Sequence, residues 1–298
     1  MSKVILVAGA TGVLGFKIVK ALQNEGAETR VVVRVNADTE KINQLEKLGA
    51  KIVKLKNWNT EELKNACLGV SCVISALSGL REVIIDAQKL LLDGAVAAGV
   101  PRFIPSDYSL DFTKFSYGEN RNLDWRREFH EYLDKKPIAS TSIFNGAFTE
   151  LLMAEMPMIF FKQKLVLYWG SPDYQWGFTT MDNTAEYTAK TALQNASPRY
   201  LRIAGDLISP REVKNVVSEI TGQHFRFFSP GGKKLLGAII MIIRKLAPGE
   251  KELYPAWQGM QYMHNMIDER SKIDVLDNDR YPEIKWTTAK DLLIKNDH

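Results

Sequence analysis

The sequence predicts an α/β protein: a doubly wound parallel sheet with a smaller, mostly C-terminal α/β lobe. Three observations carry this. Short apolar runs alternate with helix-period segments through the first half, as expected of parallel strands buried on both faces and joined by crossover helices. A glycine-rich turn, "GATGVLG", follows the first apolar run. Beyond residue 150 the regular alternation fades into aromatic loops and helices.

Taken in order, "KVILVAG" reads as the first strand. Leu14, Ile18, Ala21 and Leu22 then recur at helical spacing, and Gly26 suits the helix end. "TRVVVR" is a second strand, and Ile42, Leu45 and Leu48 mark a second helix closed by Gly49. "KIVKL" is a third strand, followed by a short helix through Leu68 that Thr60 can cap. "VSCVISAL" is the fourth strand, Arg81 to Ala98 a longer helix ended by Gly99 and Pro101, and "RFIPS" the fifth strand. A helix follows within Ser106–Leu133, and "ASTSIFN" reads as a sixth strand. "KLVLYWG" is strand-like and "PDYQWGFTT" reads as an aromatic loop. Asp182 to Leu193 is a helix, "RYLRIAG" a strand, and "SPREVKNVVSEITG" a helix with Ser209 as cap, Pro210 in its first turn and Glu212 completing a capping box. "LLGAIIMII", Leu235 to Ile243, is too short to span a bilayer and reads as a core or domain-interface helix. No repeat or flexible linker interrupts the chain.

Composition narrows the function classes. The 298 residues, 45% hydrophobic and 25% charged, are ordinary for a globular protein large enough to need no disulfide staples. Cys67 and Cys72 lie beside or within a buried strand and read as free thiols, which favours a reducing, cytoplasmic location. A net charge of +4, scattered, argues against direct nucleic-acid binding and suits an anionic cofactor. His130, His224, His264 and His298 are dispersed, so no metal spacing emerges.

The glycine turn carries the first chemistry. Gly9, Gly12 and Gly15 stand where one glycine permits a tight turn, one lets backbone approach a pyrophosphate, and one lets helix pack on strand. The N–H groups from Gly9 through Thr11, Gly12, Val13, Leu14 and Gly15 and the helix dipole then favour an anion. At the end of strand two, an acid would accept a ribose 2′-hydroxyl. Arg34 stands there instead and can hold a 2′-phosphate bidentately, with Lys41 as a second charge. NADP(H) is therefore preferred; Asp38, further along, leaves NAD(H) open. Ser75, Ala76 and Ser78 in "SALSG" are small enough to line a cofactor path, against a reading as plain turn chemistry. The nucleotide-binding domain is expected over residues 1–150, with 180–204 returning to it, and a smaller substrate or interaction lobe over 151–298.

"VAGATGVLG", "VVVR", "RFIPSDY" and "SIFNGAF" together resemble the atypical short-chain dehydrogenase/reductases, and more narrowly the NmrA-like and isoflavone reductase-like proteins. The resemblance covers most of residues 1 to 193. It implies a Rossmann-type core, a small C-terminal substrate lobe and NADP(H), with Ser106 and Asn145 joining the cofactor site. Enzymes of the group reduce small, often aromatic, carbon–carbon or carbonyl substrates; other members bind cofactor without turnover and act through protein partners.

The chain departs from the pattern over Ser106–Leu133. Tyr-x-x-x-Lys, in which lysine lowers the tyrosine pKa, is matched only by Tyr117-Gly-Glu-Asn-Arg121, and Gly118 places that tyrosine ahead of the helix. The group's helix lysine, set by the pair Arg126–Arg127, falls on Asn122. Candidate proton donors are Tyr108 and Tyr117 with Arg121 in electrostatic support; with a quinone-like acceptor, solvent suffices. Trp169, Tyr174, Trp176, Phe178, Trp257 and Tyr262 are candidates to line an apolar cleft, each also readable as core. Two readings stand: an NADPH-dependent reductase of a small aromatic, quinone or carbonyl substrate, or a non-catalytic redox sensor with a regulatory protein partner. A nucleotide-sugar epimerase is disfavoured by the missing Tyr-x-x-x-Lys. The oligomeric state and the role of "LDNDRYP" are not legible.

Overall fold

The computed structural model describes residues 3–153 and 158–295; His298 lies outside them. The chain forms two compact units. The first comprises Met1–Tyr108, Trp125–Ile143 and Thr184–Leu201, the second Ser109–Asp124, Phe144–Asn183 and Arg202–His298.

The first unit is built on strands β1 (Val4–Ala8), β2 (Glu28–Arg34), β3 (Lys51–Leu55), β4 (Cys72–Ser75), β5 (Arg102–Ile104) and β6 (Ala139–Ser140). They form one parallel sheet in the order β3-β2-β1-β4-β5-β6. The chain winds outward from β1 in one direction and then from β4 in the other, so β1 and β4 flank the topological switch point. Helices α1 (Val13–Asn24), α2 (Thr39–Lys47), α3 (Thr60–Cys67) and α4 (Gln88–Ala97) make the crossovers, and α5 (Arg121–Leu133) precedes β6. The strands are runs of apolar residues because both faces are covered. Leu6, Ala8, Val73 and Phe103 pack with Leu63, Leu91, Leu92, Phe129 and Leu133 in one buried cluster.

Three local expectations are refined here. The cap of α3 is Asn59, whose side chain accepts from Glu62 N, and Thr60 is the first helical residue. The long helix opens as a π-helix over Glu82–Ala87 before α4. Buried Gln88 is the physical reason on offer: its amide donates to Ile84 O at 2.9 Å, filling the carbonyl four residues back and displacing the ordinary ladder. The sixth strand is split. Thr141 N still bonds Phe103 O, whereas the next residue turns away to β7 (Ser142–Phe144), which pairs with β12 (Tyr200–Arg202).

Helix α6 (Met181–Leu193) brings residues 184–201 back to the first unit. Buried Arg102 donates to Thr191 O, Ala192 O and Gln194 O, and Lys3 donates to Leu193 O. Two cations thus satisfy the carbonyls that end α6, where the helix dipole is negative.

The second unit holds two small sheets. One is β14 (Arg226–Phe228), β10 (Leu165–Leu167) and β9 (Ile159–Phe160); the other is β13 (Asp206–Ile208), β11 (Trp176–Thr179) and β8 (Ala147–Phe148). The segment expected to be an aromatic loop therefore contains a strand. Its identity comes from pairing, Trp176 with Ile208 and Phe178 with Ala147, rather than from its own pattern. Helix α7 (Pro210–Thr221) carries the expected capping box: Glu212 N donates to Ser209 Oγ and Ser209 N to Glu212 Oε2. Leu276–Pro282 now has a physical role. Asp277 accepts from Arg202 N, and Asn278 exchanges two hydrogen bonds with Ala204, so these side chains pair a strand end as a neighbouring backbone would. Helix α8 (Lys233–Leu246) is not a core helix. Only Leu236 and Ile240 are buried, and Met241, Ile242 and Leu246 lie in solvent. It packs beside α9 (Ala256–Met266), and α10 (Ala289–Lys295) completes the described elements.

Candidate functional site

The cradle residues stand at the carboxyl ends of β1, β2 and β4. Gly9 has φ +83°, and a Cβ there would lie 2.4 Å from Ala76 O, so the turn after β1 touches the exit of β4 at the switch point. A Cβ on Gly15 would lie 2.3 Å from Gly9 O, so only glycine lets α1 start this close to the turn. Gly12 is the N-cap of α1, with no side chain capping the helix and no acid in its first turn. Thr11 and Leu14 are half-buried, and Val13 is exposed. The first amides of α1 thus remain available to an anion beside an exposed surface, as a bound pyrophosphate requires.

Arg34 ends β2 and is exposed, as is Lys41 on α2. Asp38 caps α2 through one carboxylate oxygen: Oδ1 accepts from Glu40 N and Lys41 N at 2.8 and 3.3 Å. At the β4 exit, Ser75 is fully buried and its hydroxyl has no partner among the described residues, Ala76 is half-buried and Ser78 exposed. Ser106 ties this loop down. Its hydroxyl donates to Leu77 O at 2.7 Å, its amide to Gln88 Oε1, and its carbonyl accepts from Arg126 Nε. Its side chain is committed to the scaffold.

The catalytic candidates divide between the units. Tyr108, in the first, is buried beside Thr188. Burial, with Asp107 adding to it, holds its phenol above the ordinary value, the opposite of what a Tyr–Lys pair achieves. Tyr117, Arg121 and Asn122 belong to the second. Tyr117 sits in the turn ahead of α5, 52% exposed. Arg121 donates to Glu252 O, Leu253 O and Asn122 Oδ1 and lies 4.8 Å over Trp257. Burial and nearby Arg244 lower its pKa, but a guanidinium starts too high for this to make it an acid. Asn122 is buried, its amide on Leu253 O. Both residues hold the start of α5 to the segment before α9.

One arrangement had no signal in the sequence. Asp107 and His130, both buried, meet at 2.6 Å between Oδ2 and Nε2. Arg199 lies 3.2 Å from His130 Nδ1 and donates to Ser142 Oγ and Asp134 Oδ1. An arginine facing Nδ1 fixes the tautomer: Nδ1 accepts and Nε2–H donates to Asp107. Burial alone would raise the Asp107 carboxyl; His130, with Ser142 and Arg126, outweighs it and holds the group below its ordinary value. The network pins the loop after β5, and with it Ser106, onto α5.

The second unit contains a small cleft, partly open to solvent. Phe144, Trp176, Met266 and Ile273 supply apolar wall, and an Asp111–Arg202 ion pair at 2.7 Å closes one side. Gly146, at φ +68°, and Gly177 let β8 and β11 approach: a Cβ on Gly146 would lie 2.2 Å from Gly177 O. Trp176 Nε1 is buried and has no partner among the described residues. Neighbouring Asn145 is fully buried with both side-chain polar atoms in the same condition. Of the other aromatics proposed for a cleft, Trp257 has Arg121 and Arg244 over its ring, Tyr174 donates to Asp268 O, Phe178 is core and Trp169 is buried; these and Tyr262 are outside this cleft's lining.

Comparison with known proteins places the chain. Residues 1–288 match the NmrA-like family. The chain belongs to that family. Pinoresinol reductase 1 of Arabidopsis thaliana is 26% identical over 310 residues, covering 97% of this chain and 95% of that one. The solved complex of AtPrR2 with NADP+ and (+)pinoresinol superposes with a TM-score of 0.78 over 99% of each chain at 24% identity. The leucoanthocyanidin reductase–NADPH complex from Vitis vinifera gives 0.79 over 98% of each at 17%. At these identities the structures speak for the Rossmann-type fold.

Proposed function

We propose that this NmrA-like protein is an NADPH-dependent reductase of a small aromatic, quinone or carbonyl substrate. The observation that carries the reading is the joint state of the β1, β2 and β4 exits: uncapped α1 amides on a glycine turn, an exposed Arg34 where an acid would otherwise end β2, and an Asp38 whose Oδ1 caps α2. These features fit a dinucleotide with a 2′-phosphate. The relatives and solved complexes named above, reductases and NADP+ or NADPH complexes, support it.

In this reading the Gly9–Gly15 turn binds the pyrophosphate through backbone N–H groups, and Arg34 with Lys41 holds the 2′-phosphate. Ser75, Ala76 and Ser78 line the path, and Ser106 keeps that loop in place through Leu77 O. Bound NADPH would supply the hydride. The second unit is the substrate lobe: its apolar cleft takes an aromatic ring, and the unsatisfied Trp176 Nε1 and Asn145 amide suit hydrogen bonds to ligand oxygens. Tyr108, Arg121 and Asn122 are poorly suited to give up a proton, so solvent is the donor, with Tyr117 as the exposed phenol of the set. Buried free Cys67 and Cys72, their thiols pushed up to about 12 by burial, suit the reducing cytoplasm.

The test is cofactor oxidation by the purified chain with a panel of lignan-type benzylic ethers, quinones and simple aromatic carbonyls. Turnover above the substrate-free rate is expected with at least one class. Tight NADPH binding without turnover favours the second reading, a redox sensor acting through a protein partner, for which the missing lysine at Asn122 is the specific observation.

A further inference from the structure

Helix α8 has two apolar stripes. Leu236 and Ile240 form the buried one, on a helix that packs beside α9. Leu235, Ile239, Ile242 and Leu246 form the other, at spacings of four, three and four residues, so they share a face. On that face Leu235 is 47% exposed, Ile242 58% and Leu246 79%, with Met241 beside it at 70%. A soluble surface rarely gathers this much aliphatic area on three turns of one helix.

The charges say what covers it. Every charged residue of α8 is a cation: Lys233 and Lys234 at one end, Arg244 and Lys245 at the other. Lys233 is engaged by Asp268 and Arg244 lies over Trp257. Lys234 and Lys245 are exposed and flank the stripe at its two ends. A second copy is a poor occupant. An antiparallel α8 pair would set Lys234 of one helix against Lys245 of the other, and a parallel pair would stack like on like. A layer with an apolar interior and anionic headgroups satisfies both features, with the lysine stems lying along the boundary and their ammonium groups at the phosphates. At 14 residues α8 is too short to cross such a layer, and no helix among the described residues is long and apolar enough to do so.

We propose that α8 is a docking helix that seats the protein reversibly on an anionic lipid surface, through Leu235, Ile239, Ile242 and Leu246 with Lys234 and Lys245 as headgroup contacts. This does not depend on the reductase reading, and the two can fail separately.

The experiment is co-sedimentation of the full chain with phosphatidylcholine vesicles, with and without about a third phosphatidylglycerol, at low and high salt. The wild type is expected to sediment with the anionic vesicles, to do so less at high salt, and to stay in solution with the neutral ones. Ile242→Glu, at an exposed position, is expected to abolish binding while leaving the melting temperature and NADPH binding unchanged. Lys234→Gln and Lys245→Gln should each weaken binding roughly five-fold. Failure of the wild type to bind anionic vesicles overturns the proposal. So does binding that Ile242→Glu leaves intact, and so does a wild-type dimer in solution that Ile242→Glu dissociates without any vesicle binding.

Discussion

Replacing His130 with alanine probes the network under the candidate site. Asp107 is fully buried, and the imidazole bonds it at 2.6 Å while also meeting Arg199. Removing the partner of a buried carboxylate costs ~3–5 kcal/mol, because the remaining charge stays desolvated and unpaired. At the low end of ~2–4 °C per kcal/mol for larger chains, the melting temperature should fall by roughly 6–10 °C. The pH dependence carries a sign. In the wild type Asp107 is held below its ordinary value, so its contribution is complete above about pH 4 and is lost only as pH falls through that lowered value. Without His130, burial raises the carboxyl, folding takes up a proton, and the variant regains stability as pH falls. The deficit of His130→Ala measured by urea unfolding should therefore be larger at pH 8 than at pH 5, and His130→Gln, which keeps an N–H, should recover part of it. A deficit under about 1 kcal/mol, or one that grows toward pH 5, would refute the assigned pairing.

Gly15→Ala should abolish NADPH binding or destabilise the first unit, since its Cβ would lie 2.3 Å from Gly9 O; titration and thermal melting check both outcomes. Ser209→Ala should cost ~1 kcal/mol by removing the oxygen that accepts from Glu212 N, read by chemical denaturation. Trp176→Phe keeps the cleft wall but removes its unsatisfied N–H; it should raise KM for an oxygen-bearing substrate more than it lowers kcat.

The order of strands and crossover helices in the first unit was legible because buried parallel strands need continuous apolar runs and their connections end on glycines that have few substitutes. Gly9 and Gly15 belong to this class: the backbone geometry that demands them is local. Where long-range contacts decide, the sequence was silent. Trp176–Thr179 is a strand only because β13 and β8 lie alongside it. The stretch around α8 is apolar on both stripes, so composition could not tell the buried face from the face in solvent. Asp107 and His130 stand 23 residues apart, and only the fold of the β5 exit against α5 brings them together. Asp38 shows the converse. Its spacing said nothing of a cap, and two hydrogen bonds from the start of α2 to its Oδ1 make it one. The Ser106–Leu133 stretch was readable as a departure from the family pattern, but the use of Arg121 and Asn122 as ties to Glu252 and Leu253 required the tertiary structure.

The most direct measurement is the affinity of the wild type and of Arg34→Glu for NADPH and NADH, by fluorescence titration at one fixed salt concentration. The wild type should prefer NADPH. Arg34→Glu loses a charge-assisted contact of ~1.5–3 kcal/mol, so NADPH should weaken by at least roughly ten-fold, with NADH nearly unchanged. A wild type indifferent to the 2′-phosphate, or an equal loss for both dinucleotides, would contradict the assignment of Arg34 and the cofactor site built around it.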